Sequence, residues 1–236
     1  MFTRCYLNYN LMKWLPLLFV TLFSLHSEAS IVITGTRVIY PAGERSVSVK
    51  LNNNGKLPVL IQSWVDNGDP DKKPDDSQAP FIITPPINRV DPGKGQTLRV
   101  TFTGLPLSTD RESVFWLNVL EIPTRYEPKS NDNYLQVAFR TRIKLFYRPE
   151  NLPGKPLEAP DTLNWKVSGG QLMASNNSAW NVSLSSVSVG GKKVEGKMVS
   201  PKGSEIFPLK VSPGMQVSFE AVNDYGAVMK KTATVQ

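Results

Sequence analysis

Residues 133–148 alternate with a period of two. Leu135, Val137, Phe139, Thr141, Ile143, Leu145 and Tyr147 share one parity; Gln136, Ala138, Arg140, Arg142, Lys144, Phe146 and Arg148 share the other. Successive side chains of a strand point to opposite faces, so this run predicts a strand with one apolar and one basic face. At ~3.4 Å per residue it would span roughly 50 Å, well beyond an ordinary strand of about five or six residues. Ile143, Leu145 and Tyr147 suit a half-buried strand. Leu135, Val137 and Phe139 follow a polar loop over 126–133. They are expected to project past the parent fold as an apolar edge available to another chain's strand.

The same alternation recurs through the preceding hundred residues. It predicts strands at 30–40 (interrupted by Arg37), 46–51, 59–65, 81–84, 97–103 and 113–122. Between them stand turn signals: Pro41-Ala-Gly-Glu44, Asn52-Asn-Asn-Gly55, the polar stretch 66–80, Pro85-Pro86 and Pro92-Gly93. About seven short strands without a helical period predict an antiparallel sandwich of immunoglobulin type over residues 30–149. Residues 150–160 are rich in proline and read as a linker. Residues 161–236 repeat the strand-and-turn pattern at 164–167, 171–174, 180–189, 197–199, 205–210, 215–222 and 228–235, which predicts a second, smaller β-sandwich.

The first 29 residues do not share this pattern. Arg4 and Lys13 precede an apolar run from Trp14 to Leu25, and Ser27-Glu28-Ala29 offers small residues for cleavage. This predicts a signal peptide removed after Ala29, with a run too short to remain as a membrane anchor. The sole cysteine, Cys5, and the sole histidine, His26, leave with it. A mature chain without either residue type excludes a thiol nucleophile, a Ser-His pair and a Cys- or His-ligated zinc site. No Ser-x-x-Lys or spaced carboxylate pair stands out, so neither catalysis nor a cofactor is expected. The net charge of +7 includes Arg4, Lys13 and Glu28; removing two positive charges and one negative leaves +6. No basic cluster interleaved with aromatics on the scale of a nucleic-acid groove accompanies it, so nucleic acid is not an expected partner.

The segment Asp110-Arg-Glu-Ser-Val-Phe-Trp-Leu-Asn-Val-Leu-Glu-Ile-Pro123 resembles the signature of the periplasmic chaperones of the chaperone–usher pathway, which assemble pili. Thr36-Arg37-Val38, Thr84-Pro-Pro86, Arg89-Val-Asp-Pro-Gly93, Ile143-Lys-Leu-Phe-Tyr-Arg-Pro149 and Asn223-Asp-Tyr-Gly226 agree with it in order and spacing. The resemblance implies an all-β chain of two immunoglobulin-like β-sandwich domains set at an angle, with a cleft between them. It implies binding of pilus or fimbrial subunits by donor-strand complementation in the periplasm, and delivery to an outer-membrane usher. Leu135, Val137 and Phe139 would fill the subunit's open groove. Arg37 and Lys144 match the family's cleft residues that hold the subunit's C-terminal carboxylate. Glu112, Arg148 and Asp224 match its inter-domain charged network. The short segment 123–134 and the absence of mature cysteine resemble the family's short-loop group.

One point is left open at this level. Lys144 has the opposite parity to Leu135, Val137 and Phe139, so strand twist, a bulge near Thr141 or the lysine's own reach must bring them to one surface. Self-association through the exposed strand is also open. The competing reading is a fimbrial structural subunit or adhesin. Such a chain should show one incomplete sandwich and a free N-terminal donor segment, which this sequence does not suggest.

Overall fold

The computed structural model describes residues 30–123 and 137–236. The expected signal peptide, Leu135 and most of the short loop before it lie outside the described residues. In the first half of the chain run β1 (Ile31–Ile33), β2 (Arg37–Pro41), β3 (Val47–Asn53), β4 (Val59–Asp66), β5 (Phe81–Thr84), β6 (Ile87–Val90), β7 (Gly95–Phe102), β8 (Ser113–Pro123) and β9 (Phe139–Arg148). One sheet has the order β1-β3-β7-β5 and the other β2-β9-β8-β4-β6. Their inward residues meet in one core, with Leu51, Leu98 and Val100 from the first sheet and Ile61, Leu117 and Leu145 from the second. Alternating strands bury one face each, which is why the two-residue period located most of them.

The segment 30–40, expected as one strand, is two. β1 pairs antiparallel with β3, whereas β2 joins the other sheet and pairs parallel with β9. Between them Gly35 turns with φ +94, a backbone state open to glycine and strained for other residues. Asn53, fully buried at the end of β3, accepts from the Gly55 amide and donates through Nδ2 to the carbonyls of Leu57 and Val90. The Asn-rich turn is therefore held by a side chain as well as by its backbone preference. β6 was not expected, because Pro85-Pro86 masks a strand in which Val90 alone is buried. It pairs with β4.

The second half contains β10 (Leu163–Ser168), β11 (Gln171–Asn176), β12 (Val182–Val189), β13 (Lys192–Glu195), β14 (Met198–Val199), β15 (Ser204–Lys210), β16 (Gln216–Val222) and β17 (Val228–Thr234). One sheet runs β10-β11-β15 and the other β13-β12-β16-β17, with β14 also on β12. A separate core forms around Trp165, Leu172, Phe207 and Phe219. The stretch 150–160 is less of a free tether than its prolines imply. Ala159 opens a short 3-10 turn (Ala159–Thr162) and is buried in this second core. Trp180 Nε1 donates to the Pro153 carbonyl at 2.9 Å.

Candidate inter-domain cleft and open strand edge

β8 and β9 pair residue for residue from Ser113 with Tyr147 to Glu121 with Phe139, without a register shift. This removes the bulge near Thr141 as a way of aligning Lys144 with the apolar stripe. Strict alternation puts Phe139, Thr141 and Ile143 on the core-facing side and Arg140, Arg142 and Lys144 on the outer side. The reconciliation lies at the strand's other edge. β2 covers β9 only from Lys144 to Arg148. Among the described residues, 139–143 therefore have β8 on one side and nothing laddered on the other. Val137 and Phe139, at the start of this open edge, are 48% and 44% exposed. A chain laid along an edge meets side chains of both faces, so opposite parity is no obstacle.

The open edge ends where β2 begins, and that is where the two expected cations stand. Arg37 is the register partner of Lys144. Arg37 Nη1 donates to the Val222 carbonyl of the second domain at 2.8 Å, while its buried Nε has no hydrogen-bond partner among the described residues. Burial pushes the Arg37 guanidinium below its ordinary range, against the opposing pull of Asp224 and Glu112. Burial likewise lowers the Lys144 amine, and the neighbouring Arg37 charge adds to the effect. Lys144 Nζ lies 5.4 Å from the centroid of Trp116, and no carboxylate among the described residues is within ion-pairing distance of it. Two half-buried cations side by side, neither in an ion pair among the described residues, form a site electrostatically matched to a carboxylate.

The three residues of the expected charged network meet. Arg148 Nη1 donates to Asp224 Oδ2 at 2.9 Å, and its Nη2 lies 2.8 Å from Glu112 Oε1. Burial disfavours the Arg148 charge, but hydrogen bonds and attraction from Asp224 and Glu112 outweigh it and raise its pKa. The second Glu112 oxygen accepts from both the backbone amide and Nδ2 of Asn181 at 3.1 Å, and the Glu112 amide donates to Ala179 O at 2.9 Å. The guanidinium carbon of Arg148 sits 5.0 Å from the Trp180 ring centroid. Ala179 and Val222 carry no chemical signature that would flag them in the sequence, and the Asn181-Val-Ser183 pattern does not point to this contact. Phe146, assigned to the basic parity, is buried among Arg37, Glu112, Arg148 and residues of the second domain. The outer face of β9 thus carries Arg140, Arg142 and Lys144 beside the open edge, and then the buried Phe146 and the ion-paired Arg148 where the second domain covers it.

A further cluster was not foreseen. Asp66 is 1% exposed and accepts from Asn118 Nδ2 (2.7 Å), the Gly68 amide (2.6 Å) and Arg142 Nε (3.2 Å). Burial alone would raise this carboxyl, but hydrogen bonds from Arg142, Asn118 and Gly68 hold it below the usual carboxylate range. Arg142 also lies over the Trp116 ring, 4.3 Å from its centroid. Of the three outer-face cations beside the open edge, Arg140, Arg142 and Lys144, Arg142 is therefore internally neutralised.

Comparison with known proteins agrees with this architecture. Residues 30–153 match the family "Pili and flagellar-assembly chaperone, PapD N-terminal domain", and residues 158–233 match "Pili assembly chaperone PapD, C-terminal domain". The "Chaperone protein FimB/FhaD" of Bordetella pertussis is 44% identical over 218 residues, covering 89% of each chain. The "Probable fimbrial chaperone YadV" of Escherichia coli is 43% identical over 242 residues, covering 95% of this chain and 98% of that one. Among solved structures, the Pseudomonas aeruginosa CupB2 chaperone shares 35% identity with a TM-score of 0.76, covering 87% of this chain and all of that one. A chain in the Salmonella enterica complex of SafA pilin with the SafB chaperone shares 29% identity with a TM-score of 0.78, covering 88% and 97%. With both domain models matched in order across nearly all the described residues, this chain belongs to the family of PapD-like pilus-assembly chaperones.

Proposed function

We propose that this protein is a periplasmic chaperone, not an enzyme, that captures fimbrial subunits on the open edge of β9 and passes them to an outer-membrane usher. The observation that carries the reading is the half-covered strand. β2 begins only at Arg37, the edge of β9 before it is unladdered among the described residues, and the step between them holds two cations that form no ion pair among those residues. A subunit strand pairing along 137–143 would end its chain at that step, so its terminal carboxylate would meet Arg37 and Lys144. Anchoring a chain end sets the register in which its side chains meet Leu135, Val137 and Phe139. Phe139 is already about half covered, so its share of the ~1.5–3 kcal/mol for full burial is about half. The complex of SafA pilin with the SafB chaperone supports this reading by analogy. Glu112, Arg148 and Asp224 would fix the angle at which the second domain stands beside this step.

The test is co-expression with candidate fimbrial subunits and pull-down of the wild type, Arg37→Ala and Lys144→Ala. Both variants should fail to retain the partner while remaining folded. Normal retention by both would overturn the reading.

A further inference from the structure

The outer face of β9 presents Arg140, Arg142 and Lys144 beside the open edge, and only one of these cations lacks an assignment. Arg142 is spent on Asp66 and the Trp116 ring. Lys144 belongs to the anion step with Arg37. Arg140 is exposed, stands opposite Leu120 on β8, and its side chain has no ion pair or hydrogen bond among the described residues. It lies in the stretch that is unladdered on one side among the described residues, on the face opposite to Phe139 and Thr141. Any strand that pairs with this edge must carry a side chain next to Arg140 on the solvent side of the sheet. Opposite charges on neighbouring strands attract and like charges repel, so that position is electrostatically selective.

We propose that Arg140 is a specificity residue: it favours incoming strands bearing an acidic side chain at the position that faces it. This rests on the capture reading above and adds a second rule to it. Apolar side chains are selected on the face of Phe139, and a carboxylate on the face of Arg140. The two rules alternate in sequence, so together they penalise a one-residue slip of the incoming strand, which would drive an acid into the apolar side and an apolar residue against Arg140. The chain end anchored at Arg37 and Lys144 would set the register, and Arg140 would check it from a different residue.

The test uses the mature chain and synthetic peptides with alternating apolar residues. A single Glu, Gln or Lys is moved one position at a time, and each peptide is made with a free or amidated C-terminus. At one solvent-side position the wild type should bind the Glu peptide roughly two- to fivefold more tightly than the Gln peptide, with Lys weakest. Arg140→Glu should invert that order, and Arg140→Ala should erase it. High salt should compress the differences, because this pair is exposed. If free-acid peptides still outbind amides but the wild type ignores charge at every solvent-side position, the Arg140 proposal is overturned and edge capture stands. The same holds if Arg140→Glu keeps the wild-type order. If the wild type does not distinguish acid from amide, the capture reading fails and takes this proposal with it.

Discussion

Replacing Lys144 with methionine should separate binding from stability with opposite signs. The methionine keeps much of the stem that runs beside Trp116 and removes the charge. In the unliganded protein that charge is held at a cost, because burial and Arg37 both disfavour it. A base whose folded-state pKa lies below its unfolded value costs stability wherever it is protonated, and the cost fades as pH rises through the folded pKa. At neutral pH the substitution should therefore leave the melting temperature unchanged or raise it. Capture should move the other way. One charge-assisted hydrogen bond contributes ~1.5–3 kcal/mol, which corresponds to roughly 10- to 150-fold in affinity. Calorimetric titration with a peptide matching the last residues of a fimbrial subunit, as free acid and as amide, isolates this contribution. The wild type should prefer the acid by a factor in that range. Lys144→Met should retain only the smaller preference that Arg37 alone provides, and Arg37→Ala/Lys144→Met should retain none. A Lys144→Met protein that kept the full acid preference, or that lost several degrees of stability, would refute the reasoning.

Four further outcomes are expected. Phe139→Asp should weaken binding of fimbrial subunits without changing the urea midpoint, since the ring is largely outside the protein's own core; unfolding would instead assign it to that core. Arg148→Ala strips one partner from the nearly buried Glu112. Two donors from Asn181 remain, so the loss should fall at or below the low end of the ~3–5 kcal/mol for breaking a buried pair, and small-angle scattering should report a changed inter-domain geometry. Asp66 has a lowered folded-state pKa, so its stabilisation is present above about pH 4 and is lost as pH falls through the folded value. Urea midpoints of wild type and Asp66→Asn should therefore converge on acidification, and a constant gap down to low pH would contradict this. Gly35→Val imposes a β-branched residue on a positive φ and should lower stability by about 1–3 kcal/mol, read from the same titration.

Much of the fold was legible because each strand buries one face and the period of two survives in the residues. The failures have physical causes. The period continues through Ile31, Ile33, Val38 and Tyr40, yet the chain changes sheets between them at Gly35, because a change of partner leaves no mark on alternation. β6 has a single buried residue and so no pattern to detect. Arg37, Lys144, Glu112, Arg148 and Asp224 were reached through family likeness; their charges alone look like any solvated surface. Arg142 sat unremarked in the basic stripe, since its carboxylate partner lies 76 residues away. The parity conflict of Lys144 could not be resolved from the residues either. It depends on which part of β9 is covered, and that is decided by a parallel strand from the start of the domain.

The bend at Gly35 has an effect larger than its size. Were residues 30–36 to run straight on from β2 in the reverse direction, they would lie along the vacant side of β9 and satisfy its amides and carbonyls themselves. The protein would then be a closed sandwich with no vacancy to offer. By sending residues 31–33 to the opposite layer, the turn at Gly35 leaves that side of β9 unfilled among the described residues, so one glycine conformer decides which sheet the segment completes.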